Sequence, residues 1–271
     1  GFMAQFSGDM AEAERCAERA LEGFRALGDR WGVANTLDPL AQLAAGRGDR
    51  ERAMALLSEA LELVGELGAL EEHSDLLNRR AWVHLQAGEL DAAFADFDRA
   101  AGLARRAGAG DKVAAAFHGL GEVARLRGDM PEARRRYEQV LDAYSERFIA
   151  SAIRAGAHVG LAWVALARGD ADEARSRLRQ ALEMTVDHPV FTNRPEALVA
   201  LADVALLEGD GERAAFLIGS ATALRGDLLP RDLARVEAGA RRRLGDEAYE
   251  AARARGAALP ADRALAEALT M

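Results

Sequence analysis

Five histidines and one cysteine hold whatever metal-binding or nucleophilic chemistry this 271-residue chain could offer. No two of His73, His84, His118, His158 and His188 stand within two helical turns of each other in sequence. That spacing excludes the His-Glu-x-x-His pair, two imidazoles one helical turn apart, that holds a catalytic zinc. Cys16 cannot build a thiolate metal site or a disulfide framework alone, and a lone cysteine fits a reducing, cytoplasmic compartment. No Gly-x-x-x-x-Gly-Lys-Ser/Thr is present to cradle a phosphate, and Gly119-Leu120-Gly121 reads as a helix-packing feature. The expectation is a protein with no catalytic residues, no metal and no cofactor. His84 then reads as a satisfied core histidine and Cys16 as a small buried apolar residue. Two basic runs, Arg134-Arg135-Arg136 and Arg241-Arg242-Arg243, splay over different sides of a helix and read as solvated faces. With a net charge of −9, no direct contact with nucleic acid is expected. No run of about 18 apolar residues occurs, and Gly1-Phe2-Met3 is no secretion signal, so a membrane role is not expected either.

The elements that must carry any binding residues are set by a short recurring pattern. Gly followed by Asp or Glu, with Ala five residues past the Gly, occurs at Gly8, Gly48, Gly88, Gly128, Gly169 and Gly209. The step from one glycine to the next is constant, and only between Gly128 and Gly169 is it one residue longer. A fixed period of this length marks an array of supersecondary units. Upstream of each glycine, apolar residues fall 11, 8, 7, 5 and 4 positions back, as in Leu37, Leu40, Ala41, Leu43 and Ala44. Downstream they fall 5, 9 and 12 positions on, as in Ala93, Phe97 and Ala100. Both spacings are helical, so each unit is an antiparallel helix pair. The glycine ends the first helix in a left-handed conformation, and the acid after it sits at the positive end of the second. The small residue five positions on lets the two helices approach closely. The fold class is all-α: a right-handed α-solenoid of helix pairs, with residues 1–225 as the array and 226–271 as capping helices. Only seven residues precede Gly8, so the first unit is half missing. Phe2, Met3 and Phe6 would then face an absent neighbour, as in a piece of a longer protein.

Stacked pairs line an inner wall with their first helices. There, positions 13, 10, 6 and 3 before the glycine form a stripe beside the packing stripe. It carries Asn35, Asp38 and Gln42, then Asp75, Asn78, Trp82 and Leu85, then His118, Glu122 and Arg125. It continues with Val159, Trp163 and Leu166, then Glu196, Val199 and Asp203. The candidate partner-binding residues are Asn35, Asp38, Gln42, Asn78, Trp82, His118, Glu122, Arg125, Trp163 and Asp203. Trp82 and Trp163 share one register and stand as exposed anchors; Trp31, at a helix start, reads as packing. Five acids against Arg125 favour a cationic or polar partner.

The unit resembles the tetratricopeptide repeat, most closely where Leu120-Gly121 and Gly128-Asp129 precede Ala133 and Tyr137. It departs in period, which is longer here than the usual ~34 residues of that repeat. The tail deepens the resemblance: Phe216-Leu217-Ile218-Gly219-Ser220-Ala221, then Leu229-Pro230, Leu244-Gly245-Asp246-Glu247-Ala248-Tyr249, Leu259-Pro260 and a short helix to Leu269. In that form the chain looks like the MalT-like and AfsR-like sensor region of bacterial LuxR- and SARP-type ATPase regulators. The resemblance implies a binding module for a protein or peptide segment, or for a small effector. The alternative is a stand-alone scaffold that assembles partners or self-associates into a homo-oligomer through repeat edges.

Overall fold

A computed structural model describes residues 10–142, 148–184, 194–225, 232–260, 263–264 and 266–267. The Gly8-Asp9 turn, Phe2, Met3, Phe6, His188, Leu229-Pro230 and Leu269 lie outside that set, as does the 225/226 boundary. Every regular element among the described residues is an α-helix, in the order α1 (Met10–Leu27), α2 (Arg30–Gly46), α3 (Arg50–Leu67), α4 (Leu70–Gln86), α5 (Leu90–Ala107), α6 (Gly110–Leu126), α7 (Met130–Asp142), α8 (Phe148–Leu166), α9 (Ala171–Glu183), α10 (Arg194–Leu207), α11 (Gly211–Arg225), α12 (Leu233–Leu244) and α13 (Asp246–Ala257). Contacts divide the chain into two compact units, Gly1–Val123 and Ala124–Met271.

The turn at Gly48 shows how the sequence sets each boundary. Gly48 takes a φ of +77°, and its N–H reaches Ala45 O at 3.0 Å while Asp49 N–H reaches Ala44 O at 2.9 Å. The last carbonyls of α2 are thereby satisfied. Asp49 then accepts from Arg52 N–H at 3.1 Å and caps α3. Asp129, Asp170 and Asp210 repeat that cap. Glu89 differs: its carboxylate turns away to His84 Nδ1 and Arg50. A second glycine series, at half the period, ends the second helices at Gly28, Gly68 and Gly108. In the first unit the helices therefore alternate at 18 and 17 residues, each pair of neighbours parted by a left-handed glycine.

The core follows the downstream stripe. Ala53, Leu57, Ala60, Ala93, Phe97, Ala100, Ala133, Tyr137, Val140, Ala174, Leu178 and Ala181 are all buried. The large residue of that stripe seats on a small one in the next helix. A Cβ at Gly119 would lie 2.2 Å from the Phe97 ring, and one at Gly160 would lie 2.3 Å from the Tyr137 ring. Gly119 is therefore a packing residue. Burying each of these side chains stabilises by about 2 kcal/mol.

In the second unit, α12 and α13 pack onto α10 and α11. Leu233, Val236 and Ala240 of α12, with Tyr249 and Ala252 of α13, join the core there. Helices α11 and α13 cross backbone to backbone. A Cβ at Gly219 would lie 2.0 Å from Arg253 O, and one at Gly256 would lie 1.9 Å from Phe216 O.

Candidate interaction surface

The candidate stripe in the first unit stands on α2, α4 and α6. Asn35 and Gln42 are exposed, and Asn35 Nδ2 donates to Trp31 O at 2.9 Å. Trp31 is itself 46 % exposed. This corrects the expectation that Trp31 packs: it lies one helical turn before Asn35 and extends the stripe. Asp38 pairs with Arg79 Nε at 2.6 Å and accepts from Gln42. Burial raises the Asp38 carboxyl above its ordinary range, while Arg79 and Gln42 act the other way. Asp75 is bonded by Lys112. Asn78 is half-buried, and its Oδ1 is shielded from solvent with no hydrogen-bond partner among the described residues. Trp82 is half-buried too, edge-on to Phe97 at 5.5 Å and tilted over His118 at 5.6 Å. It is a braced ring rather than a free anchor. Leu85 is fully buried. Glu122 is half-buried on the same helix as His118.

The stripe in the second unit is covered. Val159, Trp163, Leu166 and Val199 are buried, and Trp163 is 7 % exposed. The exposed position expected for Trp163 is thus corrected, and the start of α12 is the reason. The Trp163 ring lies between the Arg125 and Arg235 guanidiniums, 5.7 and 5.5 Å from its centroid. Arg125 Nη1 pairs with Asp232 at 3.0 Å, and Arg235 binds Asp203 through two contacts at 2.8 and 3.2 Å. Side chains of α7 and α9 form ion pairs with one another, such as Arg134 with Glu173 at 3.0 Å.

These pairs change the electrostatic reading. Asp38, Asp75 and Asp203 each face a cation that the stripe positions alone omit: Arg79, Lys112 and Arg235. The acidic lining inferred from sequence is largely neutralised within the chain. Arg134, Arg135 and Arg136 are likewise taken up by Glu138, Glu173 and Glu132.

His84, His158 and Cys16 sit away from the stripe. His84 is half-buried and bonded to Glu89 at 2.6 Å, so it is a turn-bracing group and not a core one. Cys16 is half-buried and donates to Glu12, short of the burial expected for it. His158 is buried, and desolvation together with Arg177 and Arg154 lowers its pKa to about 4. Among the described residues, no three His, Cys, Asp or Glu are grouped to hold a metal ion, and no helix is long and apolar enough to cross a membrane.

A family model described as "Tetratricopeptide repeat" matches residues 1–65 and 72–146, and a second of the same description matches residues 124–193. No curated protein matches. Among solved structures, the crystal structure of BtubC (BKLC) from P. vanneervenii is 21 % identical, with a TM-score of 0.61 over 80 % of this chain and 91 % of that one. The crystal structure of a tetratricopeptide repeat protein from Parabacteroides merdae ATCC 43184 is 16 % identical, with a TM-score of 0.53 over 99 % and 94 %. At these identities the likeness concerns the fold.

Proposed function

This chain belongs to the tetratricopeptide repeat family, and from that premise we propose that it is a non-enzymatic interaction protein that binds a protein or peptide segment. The site is the stripe of the first unit, from Trp31 and Asn35 through Gln42 and Asn78 to the Trp82–His118 ring pair. One observation carries this reading above the others. The half-buried Asn78 amide leaves its Oδ1 with no donor among the described residues, and a half-turn about the last side-chain torsion brings that oxygen outward to accept a bound N–H. A partner's backbone amide supplies that N–H, with Trp82 and His118 as the wall beside it. The second unit contributes less, because α12 already covers its stripe.

Asn78→Ala tests the assignment. It should weaken the binding of a partner segment about tenfold, the loss of one hydrogen bond, while leaving Tm unchanged. A drop in Tm with unchanged affinity would make Asn78 a fold residue only.

The finer reading is the sensor region of a bacterial transcriptional regulator of the LuxR or SARP type, acting in the cytoplasm. Its support is the tail, where Phe216–Ala221 falls in α11 and Leu244-Gly245-Asp246 forms the turn between α12 and α13. A stand-alone scaffold is the competing reading. The residues encoded ahead of Gly1 decide between them: an ATPase and a DNA-binding module support the regulator, and their absence discards it.

A further inference from the structure

The second unit holds a groove of about 500 Å³ between α10 and α12, lined by Asp203, Leu206, Leu207, Arg235, Gly239, Arg242 and Arg243. Three guanidiniums face one carboxylate there, in a chain where Asp and Glu outnumber Lys and Arg by 44 to 35. The carboxylate is already engaged, since both Asp203 oxygens are bonded to Arg235. Arg243 donates Nε to Gly209 O at 2.8 Å, which fixes its guanidinium at the rim without neutralising it. Arg242 is exposed and, like Arg243, has no carboxylate partner among the described residues, whereas Arg241 next to them is held by Glu237, Asp246 and Glu250. The nearby Glu208 is taken up by Arg175 and Arg213. Two adjacent cations with no carboxylate partner among the described residues of an acid-rich chain mark a site for an anion from outside. The floor is apolar: Leu206 lies across Gly239, where a Cβ would come within 2.8 Å of it, and Leu207 is 51 % exposed. Four of the seven lining residues are charged, so charge leads any recognition in the groove, and Leu206 and Leu207 add an apolar wall beside it.

We infer that this groove binds a small molecule carrying a carboxylate or phosphate on an apolar body, with Arg242 and Arg243 on the anion and Leu206 and Leu207 under the body. The site is separate from the first-unit stripe and independent of the function proposed for it.

Titration calorimetry on the full chain tests this with octanoate and octyl phosphate, below the concentration at which either forms micelles. Both octyl anions should bind, the tighter one identifying the preferred head. Inorganic phosphate alone and the uncharged octyl glucoside should each bind at least tenfold more weakly. Arg242→Glu, at a side chain with no ion pair to lose among the described residues, should lower the affinity at least tenfold with Tm unchanged. Leu207→Ser should weaken the octyl anions and spare inorganic phosphate. The inference is overturned if neither octyl anion binds, if octyl glucoside binds as tightly as they do, or if Arg242→Glu leaves their affinity in place.

Discussion

In Gly1–Val123 the stripe on the first helices leaves Trp31, Asn35 and Gln42 exposed, while in Ala124–Met271 the same register holds Val159, Trp163, Leu166 and Val199 in the core. The helix pairs are built alike at their inner turns, with the same left-handed glycine and, except at Glu89, the same Asp cap. What differs is the segment that follows. In the second unit α12 sets Asp232 and Arg235 against Arg125, Trp163 and Asp203. Register within a repeat therefore fixes which way a residue points, and the next element decides whether it meets water. The units also differ in helix length: α9 runs 13 residues where α3 and α5 run 18 residues.

The tightest contact of each unit offers the sharpest way to break this comparison. In the second unit, Gly256→Val would drive a side chain into Phe216 O, a backbone atom that cannot step aside. The expected loss is above about 3 kcal/mol, at the upper end for overpacking, read as a urea transition confined to the second unit. In the first unit, Phe97→Ala should cost about 3–5 kcal/mol by emptying the seat over Gly119. If hydrogen exchange showed both variants loosening both units equally, the division into two units would be wrong.

Acid should separate the units more gently. His158 has a pKa of about 4 when folded, against about 6.5 unfolded, so between these values the unfolded chain takes up a proton that the folded one refuses. Its stabilising effect is complete above pH 6.5 and is lost as the pH falls toward 4, by up to about 3 kcal/mol. His73 in the first unit is shifted the same way by burial, Arg99 and Arg80, but it is only half-buried. The difference in Tm between pH 7.5 and 4.5 should therefore shrink in His158→Gln more than in His73→Gln. An equal response in the two variants would assign the acid sensitivity to other groups.

The smallest effect should be the same on both sides. Asp49→Ala and Asp170→Ala each remove a side-chain cap on a backbone N–H. Each should cost about 1 kcal/mol. A clear inequality in Tm would show that the turns, and not only their surroundings, differ between the units.

The helix pairs are legible in the sequence because an array forces the same contact on the same position. Ala53, Ala93, Ala133 and Ala174 are buried for one reason repeated, and a period makes one reason visible. The half-period glycines Gly28, Gly68 and Gly108 are equally periodic, and a scan at half the repeat length finds them. Burial of Trp163 is not legible, because it depends on α12, an element far along the chain with no period to announce it. The cations Arg79 and Lys112 escape for a related reason: Arg79 sits one residue off the stripe and Lys112 one turn ahead of its first position, and each reaches an acid on the preceding first helix through a long side chain. Exposure of Trp31 escapes because a helix-start position says nothing about what its neighbours leave open.

The glycine that returns at every half-period of the first unit has a bearing on how such a chain can lengthen. One helix with its own cap is a self-sufficient piece of backbone, yet successive pieces run in opposite directions and show different stripes to their neighbours. Copying a single piece in the gene would set like against like and turn apolar surface outward, whereas copying two in tandem would restore every contact. The module that closes its own hydrogen bonds is thus half the size of the module evolution can add.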